Sequence, residues 1–163
     1  MLKYTIAFIK RGNEILLLNR EAATWMGSWN GVGGKLEPGE TPTACIMREI
    51  YEETGIRVNE VVDKGTVTWN VNRAHSDNGM YAFVVELPDT YNFKTPLKTS
   101  EGILDWKKID WILHPDNTGV ANLRYFLPKM LESDERQNHH FIYENGQVKA
   151  FQSSPNLKFA ETF

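Results

Sequence analysis

A glycine-rich loop that runs directly into a capped helix dominates the N-terminal third of this 163-residue sequence. Residues 20–40 contain five glycines and one proline with few periodic apolar positions, which predicts a long structured loop inside a compact domain. From Thr41 to Thr54 the apolar spacing becomes helical, and Thr41 is suited to cap the N-terminus. Pro42 fits the first turn and Gly55 fits the C-terminal stop. Because long loops in compact domains usually carry function, this segment is the first candidate site.

The predicted helix has one acidic face and one apolar face. At about 100° per residue, Glu49, Glu52 and Glu53 share the acidic side. Carboxylates at this spacing lie about 5–6 Å apart and repel one another, so a bound cation would relieve the repulsion. Mg²⁺ takes oxygen ligands of this kind, and a solvated face with ion pairs to Arg48 is the alternative. The packing face is predicted to contain Ala44, Ile46, Met47, Ile50, Tyr51 and Thr54.

Apolar runs of β-favouring residues predict a sheet around this helix. Two of them, joined at Arg11-Gly12-Asn13, indicate an N-terminal hairpin, and a second hairpin is expected around Glu144-Asn145-Gly146. The sequence therefore predicts a mixed α+β fold in a single domain spanning residues 1–163. The predicted strands are 4–10, 14–19, 56–71, 80–87, 103–109 and the hairpin within 140–151; the other elements are a polar turn at 75–79, a polar connection at 88–100 and a helix at 120–131.

Composition excludes several classes of function. The net charge of −3 argues against general binding of long nucleic acids, which requires a basic surface. Binding of a single nucleotide remains possible. The lone Cys45 has no internal disulfide partner, so a reducing compartment is expected. The N-terminus lacks a signal-peptide core and no apolar run approaches membrane-spanning length. A cytoplasmic protein that does not bind membranes is predicted, as a monomer or homodimer.

The loop and helix together form a recognisable motif. Read as Gly34-x5-Glu40-x7-Arg48-Glu49-Ile50-x-Glu52-Glu53-x-Gly55-Ile56, the segment resembles the Nudix box at every defining position. This resemblance implies a mixed sheet between helices, with the box forming a loop-helix-loop. It also implies a hydrolase that cleaves a diphosphate linkage. The motif covers only residues 34–56, so it constrains the chemistry more than the substrate.

The resemblance also implies roles for individual residues. Glu49, Glu52 and Glu53 would bind Mg²⁺, with Mn²⁺ as a possible substitute, the carbonyl of Gly33 would assist, and Arg48 would orient the acids. Glu40 would be more peripheral. Glu101 resembles the fourth carboxylate that this family often adds from outside the box, as a metal ligand or a base acting through water; an ordinary loop acid is the alternative. The implied reaction is attack of a metal-activated water on phosphorus.

Two short sequence motifs resemble those of the MutT-like sanitising branch of this family. In Trp29-Asn30-Gly31-Val32-Gly33-Gly34-Lys35, the Asn would read a purine edge, since an amide both donates and accepts; the alternative is an Asn bonded to its own backbone. In His114-Pro115-Asp116-Asn117, Asp116 and Asn117 would read the base, although His114 and Asn117 depart from the Trp-Pro-Asp-Asp pattern. The alternative is that this second motif forms the N-cap of a helix. Candidate base-stacking residues are Trp25 and Trp29, which core packing would explain equally, and candidate phosphate contacts are Arg20 and Lys35.

The leading hypothesis is a diphosphatase that converts 8-oxo-dGTP-type nucleotides to the monophosphate and pyrophosphate. A second enzyme hypothesis keeps the chemistry but changes the substrate to ADP-ribose, an RNA 5′ end or another triphosphate. A third makes the chain a nucleotide-sensing module without turnover, which the intact set of Arg48 and the three box glutamates argues against. The adjacent His139 and His140 are expected to point to opposite faces of a strand, so they are not expected to share a metal.

Overall fold

A computed structural model describes residues 2–21, 27–71 and 78–156 of the chain. It contains one mixed sheet with the strand order β10-β9-β5-β6-β1-β2-β8-β7, to which β3 adds beside β2 and β4 beside β1. The β1/β6 and β5/β9 pairs are parallel and the other pairs are antiparallel. The strands are β1 (Tyr4–Arg11), β2 (Glu14–Arg20), β3 (Trp29–Asn30), β4 (Val32–Lys35), β5 (Val62–Val71), β6 (Gly79–Leu87), β7 (Leu97–Lys98), β8 (Gly102–Lys108), β9 (Gln137–Glu144) and β10 (Gln147–Pro155).

Helices cover both faces of this sheet, which confirms the predicted α+β architecture. Helix α1 (Pro42–Thr54) packs on one face, where its fully buried Ile46 and Ile50 join an apolar cluster. The short α2 (Ile109–Ile112) and α3 (Leu123–Glu132) pack on the other face, where Phe126 lies in a second cluster. None of the helices in the described ranges is long and apolar enough to cross a membrane.

Local hydrogen bonds explain why α1 begins and ends where the sequence predicted. The Thr41 hydroxyl accepts a hydrogen bond from the backbone N–H of Ala44 at 3.1 Å, and Pro42 occupies the first turn. At the other end, Gly55 has a φ of 78°, a left-handed conformation that glycine adopts without strain. The N-terminal and C-terminal hairpins are also confirmed, with β1 paired to β2 and β9 to β10.

Several predicted boundaries and faces were wrong. The strand expected from residue 56 begins only at Val62, and the strand expected to reach Ile109 ends at Lys108 because α2 starts there. On α1, Cys45 is fully buried against Thr5, whereas Ala44 and Tyr51 are exposed. The predicted loop 20–40 contains the short strands β3 and β4, and the polar connection contains β7. Helix α3 begins at Leu123 rather than 120, and most of the turn expected at 75–79 lies outside the described residues.

A buried histidine is expected to make the fold sensitive to acid. His139 is fully buried, its Nδ1 lies 2.7 Å from the Ser153 hydroxyl, and its ring stacks on those of Phe126 and Phe151. Burial, followed by the charge of Lys129, lowers the pKa of His139 from 6.5 to about 4. The folded state therefore favours the neutral ring, and its contribution to stability is present above pH 6.5 and declines as pH falls towards 4.

Replacing this histidine should reduce the acid sensitivity. Between pH 6.5 and 4, we expect the free energy of unfolding of His139→Phe to fall by about 2 kcal/mol less than that of the wild type. Urea unfolding at a series of pH values measures it, with His140→Gln as the control because His140 is only half-buried and lies beside the Thr68 hydroxyl. Parallel stability curves for wild type and His139→Phe would contradict the prediction.

Candidate active site

The acidic face of α1 lies beside the glycine-rich strand β4, and the two elements contact each other extensively. The Gly34 backbone touches the Glu49 carboxyl so closely that a Cβ built on Gly34 would lie 2.4–2.6 Å from its atoms. The backbone N–H of Gly33 donates a hydrogen bond to the Glu53 carboxylate at 3.3 Å. The paired glycines therefore allow the helix acids to approach the backbone of the preceding loop.

Arg48 donates hydrogen bonds to three carboxylates at once. Its Nε and Nη2 contact the two Glu40 oxygens at 2.7 and 2.9 Å, a bidentate pair, and Nη2 also donates to the Lys35 carbonyl at 3.1 Å. Its Nη1 lies 2.8 Å from Glu49 and 3.1 Å from Glu52. The hydrogen bonds from Arg48 lower the pKa of Glu40 to about 2, and the carboxylates raise the pKa of Arg48. Arg48 thus fixes the loop and the acids relative to one another.

Glu53 is the acid least compatible with a negative charge. Burial, followed by the nearby charge of Glu49, raises the pKa of Glu53 to about 8, with a further contribution from Glu101. The N–H of Gly33 and the charge of Arg20 act in the opposite direction. Burial is also the main reason that the pKa of Glu49 is raised. Full ionisation of both acids would therefore leave the site with more negative charge than its own cations neutralise.

Glu52 and Glu101 border the buried acids from the solvent side. The Glu52 side chain is 56% exposed and contacts Arg48. Glu101 lies in the turn before β8, where its carbonyl accepts a hydrogen bond from the Glu21 N–H at 3.1 Å, and its charge raises the pKa of both Glu49 and Glu53. The fold therefore brings the carboxylate from outside the motif towards the helix acids.

The candidate nucleotide-binding residues flank the paired glycines Gly33 and Gly34 in the sequence. The Asn30 side-chain oxygen accepts a hydrogen bond from the Gly31 N–H at 2.8 Å, which is the backbone contact that the sequence left as an alternative. Lys35 is exposed, and Trp25 lies outside the described residues. The β3 backbone binds a distant segment, because Trp29 N–H donates to Gly119 at 2.8 Å and its carbonyl accepts from Ala121 at 3.0 Å.

That distant segment forms a shallow surface depression. Asp116 projects into solvent with its side chain 92% exposed, while Asn117 donates to the Trp111 carbonyl and accepts from the Gly119 N–H. The helix N-cap alternative for this segment was wrong, because α3 begins six residues after Asn117 with Asn122 at its N-cap position. The depression has a volume of about 350 Å³ and is lined by Trp111, His114, Asp116, Asn117, Thr118 and Gly119.

Sequence reasoning missed Lys107 and Trp111. Lys107 Nζ lies 4.5 Å from the Trp29 ring centre and 4.9 Å from that of Trp111. Strand alternation indicates that Lys107 faces away from the buried Trp106, but nothing in the sequence connects Lys107 with a residue 78 positions earlier. Only the pairing of β8 with β2, and of β2 with β3, brings them together.

The sequence profile of the NUDIX domain matches residues 2–139. The chain belongs to the Nudix family. It is 26% identical over 158 residues to an oxidized purine nucleoside triphosphate hydrolase of Mus musculus, in an alignment that covers 91% of each chain. A protein of the same name from Danio rerio is 26% identical over 153 residues, which cover 86% of this chain and 90% of the relative.

A solved structure shows the same relationship. The crystal structure of a MutT protein from Bacillus halodurans superposes with a TM-score of 0.73 at 28% identity, covering 94% of this chain and 97% of that one. The chain is a Nudix pyrophosphohydrolase. Nudix hydrolases typically depend on a divalent metal, and their substrates are commonly nucleotide derivatives.

An added methyl group should have different effects on stability and activity at Gly33 and at Gly34, the two glycines of β4. In Gly34→Ala the atoms nearest the new Cβ belong to the Glu49 carboxyl, the movable end of a side chain, so we expect near-normal stability and a fall in kcat of at least about tenfold. In Gly33→Ala the Cβ would lie 2.0 Å from the Thr5 carbonyl oxygen, and we expect destabilisation of roughly 3 kcal/mol. Melting temperatures and turnover measured together distinguish the two, and equal effects of both substitutions would contradict this account.

Proposed function

We propose that this Nudix hydrolase is a Mg²⁺-dependent diphosphatase that converts oxidised purine nucleoside triphosphates, such as 8-oxo-dGTP, to the monophosphate and pyrophosphate. One observation carries the proposal. Buried carboxylates on α1 lie against the Gly33-Gly34 backbone, and Trp29, four residues before Gly33, is joined through backbone bonds to Gly119 and Ala121 in the segment after Asp116. A phosphate-cleaving site and a candidate base-reading surface therefore share one short loop. The two relatives that hydrolyse oxidised purine nucleotides support the choice of substrate.

The donor set fits a hard divalent cation. The charge of Glu101 raises the pKa of both Glu49 and Glu53, and the charge of Glu49 raises the pKa of Glu53, so a cation would relieve this repulsion. These three, with Glu52 and the Gly33 carbonyl, are the residues that would hold Mg²⁺ or Mn²⁺. Within residues 2–21, 27–71 and 78–156, no three His, Cys, Asp or Glu side chains already converge at ligand distance. When bound, the metal supplies charge neutralisation at the phosphates and lowers the pKa of water.

The side chains of the site have separate roles in this proposal. Arg48 holds Glu49 and Glu52 in place, and its bond to the Lys35 carbonyl fixes the loop. Glu52 and Glu101 are exposed on the solvent side of the site, where their carboxylates are best placed to accept a proton from water. Glu53, buried against Gly33, would lose its proton on metal binding and then hold negative charge at the floor of the site.

Basic residues beside the acids would bind the phosphate chain. Arg20 ends β2 next to Glu53, and its buried Nε has no hydrogen-bond partner among the described residues. A buried donor without a partner is costly, and a phosphate oxygen would satisfy it. Lys35 provides a second, exposed cation at the end of β4. Asn30 and Asp116, with Trp29 and Asn117, would contact the base, and residues 1–163 would act as one cytoplasmic domain on free nucleotides.

A substrate comparison tests the proposal. Values of kcat/KM are measured with Mg²⁺ for 8-oxo-dGTP, dGTP, ADP-ribose and a 5′-triphosphorylated RNA, and the products are identified. We expect 8-oxo-dGTP to be the best substrate by at least about tenfold and to yield the monophosphate with pyrophosphate. Faster hydrolysis of ADP-ribose or RNA would replace the substrate assignment. Tight nucleotide binding without hydrolysis would instead support a sensing module.

A further inference from the structure

The ammonium group of Lys107 lies near two indole rings, one from β3 and one from α2. Lys107 Nζ is 4.5 Å from the centre of the Trp29 ring and 4.9 Å from that of Trp111. It also lies 3.3 Å from an Asp105 carboxylate oxygen, and the Lys107 side chain is only 24% exposed. A partly desolvated ammonium group above two tryptophans makes attractive contacts with both rings.

The contacts around this lysine form a closed circuit. Trp29 is bound through its backbone to Gly119, Gly119 is bound by the side chain of Asn117, and Asn117 is bound to the carbonyl of Trp111. Lys107 completes the circuit by joining the rings of Trp29 and Trp111. Hydrogen bonds along one side and a cation between two rings along the other therefore hold the loop and the depression together.

We propose that Lys107 is a positioning residue, which fixes the Trp29-Asn30 loop against the Asp116 segment and thereby sets how tightly the purine is read. This inference rests on the proposed function, because it concerns the surface assigned there to the base. Lys107 contacts neither the helix acids nor Arg48 among the described residues, so its effect falls on substrate binding rather than on the chemical step.

The side chains of β8 suggest well-matched variants. Lys107→Met keeps the apolar stem and removes the cation, whereas Lys107→Arg keeps a cation that stacks on aromatic rings. The adjacent Lys108 is exposed and makes no side-chain cap bond to α2, so Lys108→Met removes the same charge without breaking the circuit. The Thr95 hydroxyl donates a hydrogen bond to Asp105, and we expect this bond to remain in each variant.

Hydrogen exchange tests the positioning without any turnover. The N–H groups of Trp29 and Ala121 form the bonds that join β3 to the distant segment. In Lys107→Met we expect both amides to exchange at least about fivefold faster, because local opening of this junction becomes easier. Lys107→Arg should restore most of the protection, and Lys108→Met should match the wild type. Unchanged exchange in Lys107→Met would overturn the proposal.

Steady-state kinetics tests the consequence for the substrate. We expect Lys107→Met to raise KM for 8-oxo-dGTP roughly tenfold and to leave kcat within about twofold, with Lys107→Arg in between. If the wild type hydrolyses 8-oxo-dGTP and Lys107→Met matches it in KM, the lysine proposal fails alone. If the wild type hydrolyses no nucleotide, the proposed function fails and takes the purine-reading role with it, while hydrogen exchange still decides whether Lys107 holds the loop.

Discussion

Glu53→Gln is expected to lower turnover at least about 100-fold and, in the absence of metal, to stabilise the protein. The amide keeps the shape of the side chain but removes a negative charge that burial and Glu49 disfavour. The pKa of Glu53 is raised from 4.5 to about 8, so its ionisation costs stability progressively as pH rises from 4.5 through 8. We expect the variant to be about 3 kcal/mol more stable than wild type above pH 8 in EDTA.

The neighbouring acid provides the control. Glu52 is exposed and contacts only Arg48 among the described residues, so Glu52→Gln should change stability by less than about 0.5 kcal/mol. Turnover should fall by at least about 100-fold in Glu53→Gln. Thermal unfolding in EDTA at several pH values, with pyrophosphate release in Mg²⁺, measures both effects. If Glu53→Gln is less stable than the wild type at high pH, the ionised form of Glu53 does not reduce the stability of the fold, which would contradict this account.

Arg48→Met is expected to reduce both stability and activity. The substitution leaves Glu40 and Glu49 without their partner, and the Lys35 carbonyl loses its bond. Removing one partner of a largely buried pair is costly, and since Arg48 is 23% exposed we expect a loss of about 2 kcal/mol. We also expect kcat to fall at least about tenfold, because the acids lose their orientation.

The pH dependence identifies the origin of this loss. The folded-state pKa of Glu40 is lowered from 4.5 to about 2, so its pairing stabilises the protein above pH 4.5 and is lost as pH falls towards 2. The stability gap between wild type and Arg48→Met should therefore narrow below pH 4.5 in urea unfolding experiments. Arg48→Lys should recover only part of the gap, because an ammonium lacks the bidentate fork. Arg57→Met, which removes an exposed arginine stacked on Tyr51, is the control, and an equal loss there would contradict the account.

The sequence predicted the elements whose signals are local. Helix α1 combines a capping Thr41, an early proline and a terminal Gly55, so its ends follow from nearby chemistry. The hairpins behave likewise, since a glycine turn connects paired runs. Short strands such as β3 and β7, with two residues each, carry no periodic signal and exist because longer neighbours offer free edges. The exposed Tyr51 shows that helical spacing predicts a face but not what covers it.

The candidate site divides in the same way. The contacts among Arg48, Glu40 and Glu49 lie within one motif, so a pattern of residues was enough to place them together. The approach of Glu101 depends on the antiparallel pairing of β8 with β2, and the neighbourhood of Lys107 depends on two strand pairings and α2. Contacts of this kind join distant parts of the chain, and a single sequence does not specify them.

Pyrophosphate release from 8-oxo-dGTP is the most direct test that the α1 acids form a metal-dependent catalytic centre. The wild type is assayed with Mg²⁺ and with EDTA, beside Glu52→Gln and the exposed loop variant Glu60→Gln. The account predicts turnover that requires Mg²⁺, persists in Glu60→Gln and falls at least about 100-fold in Glu52→Gln. Undiminished turnover in EDTA or in Glu52→Gln would contradict it.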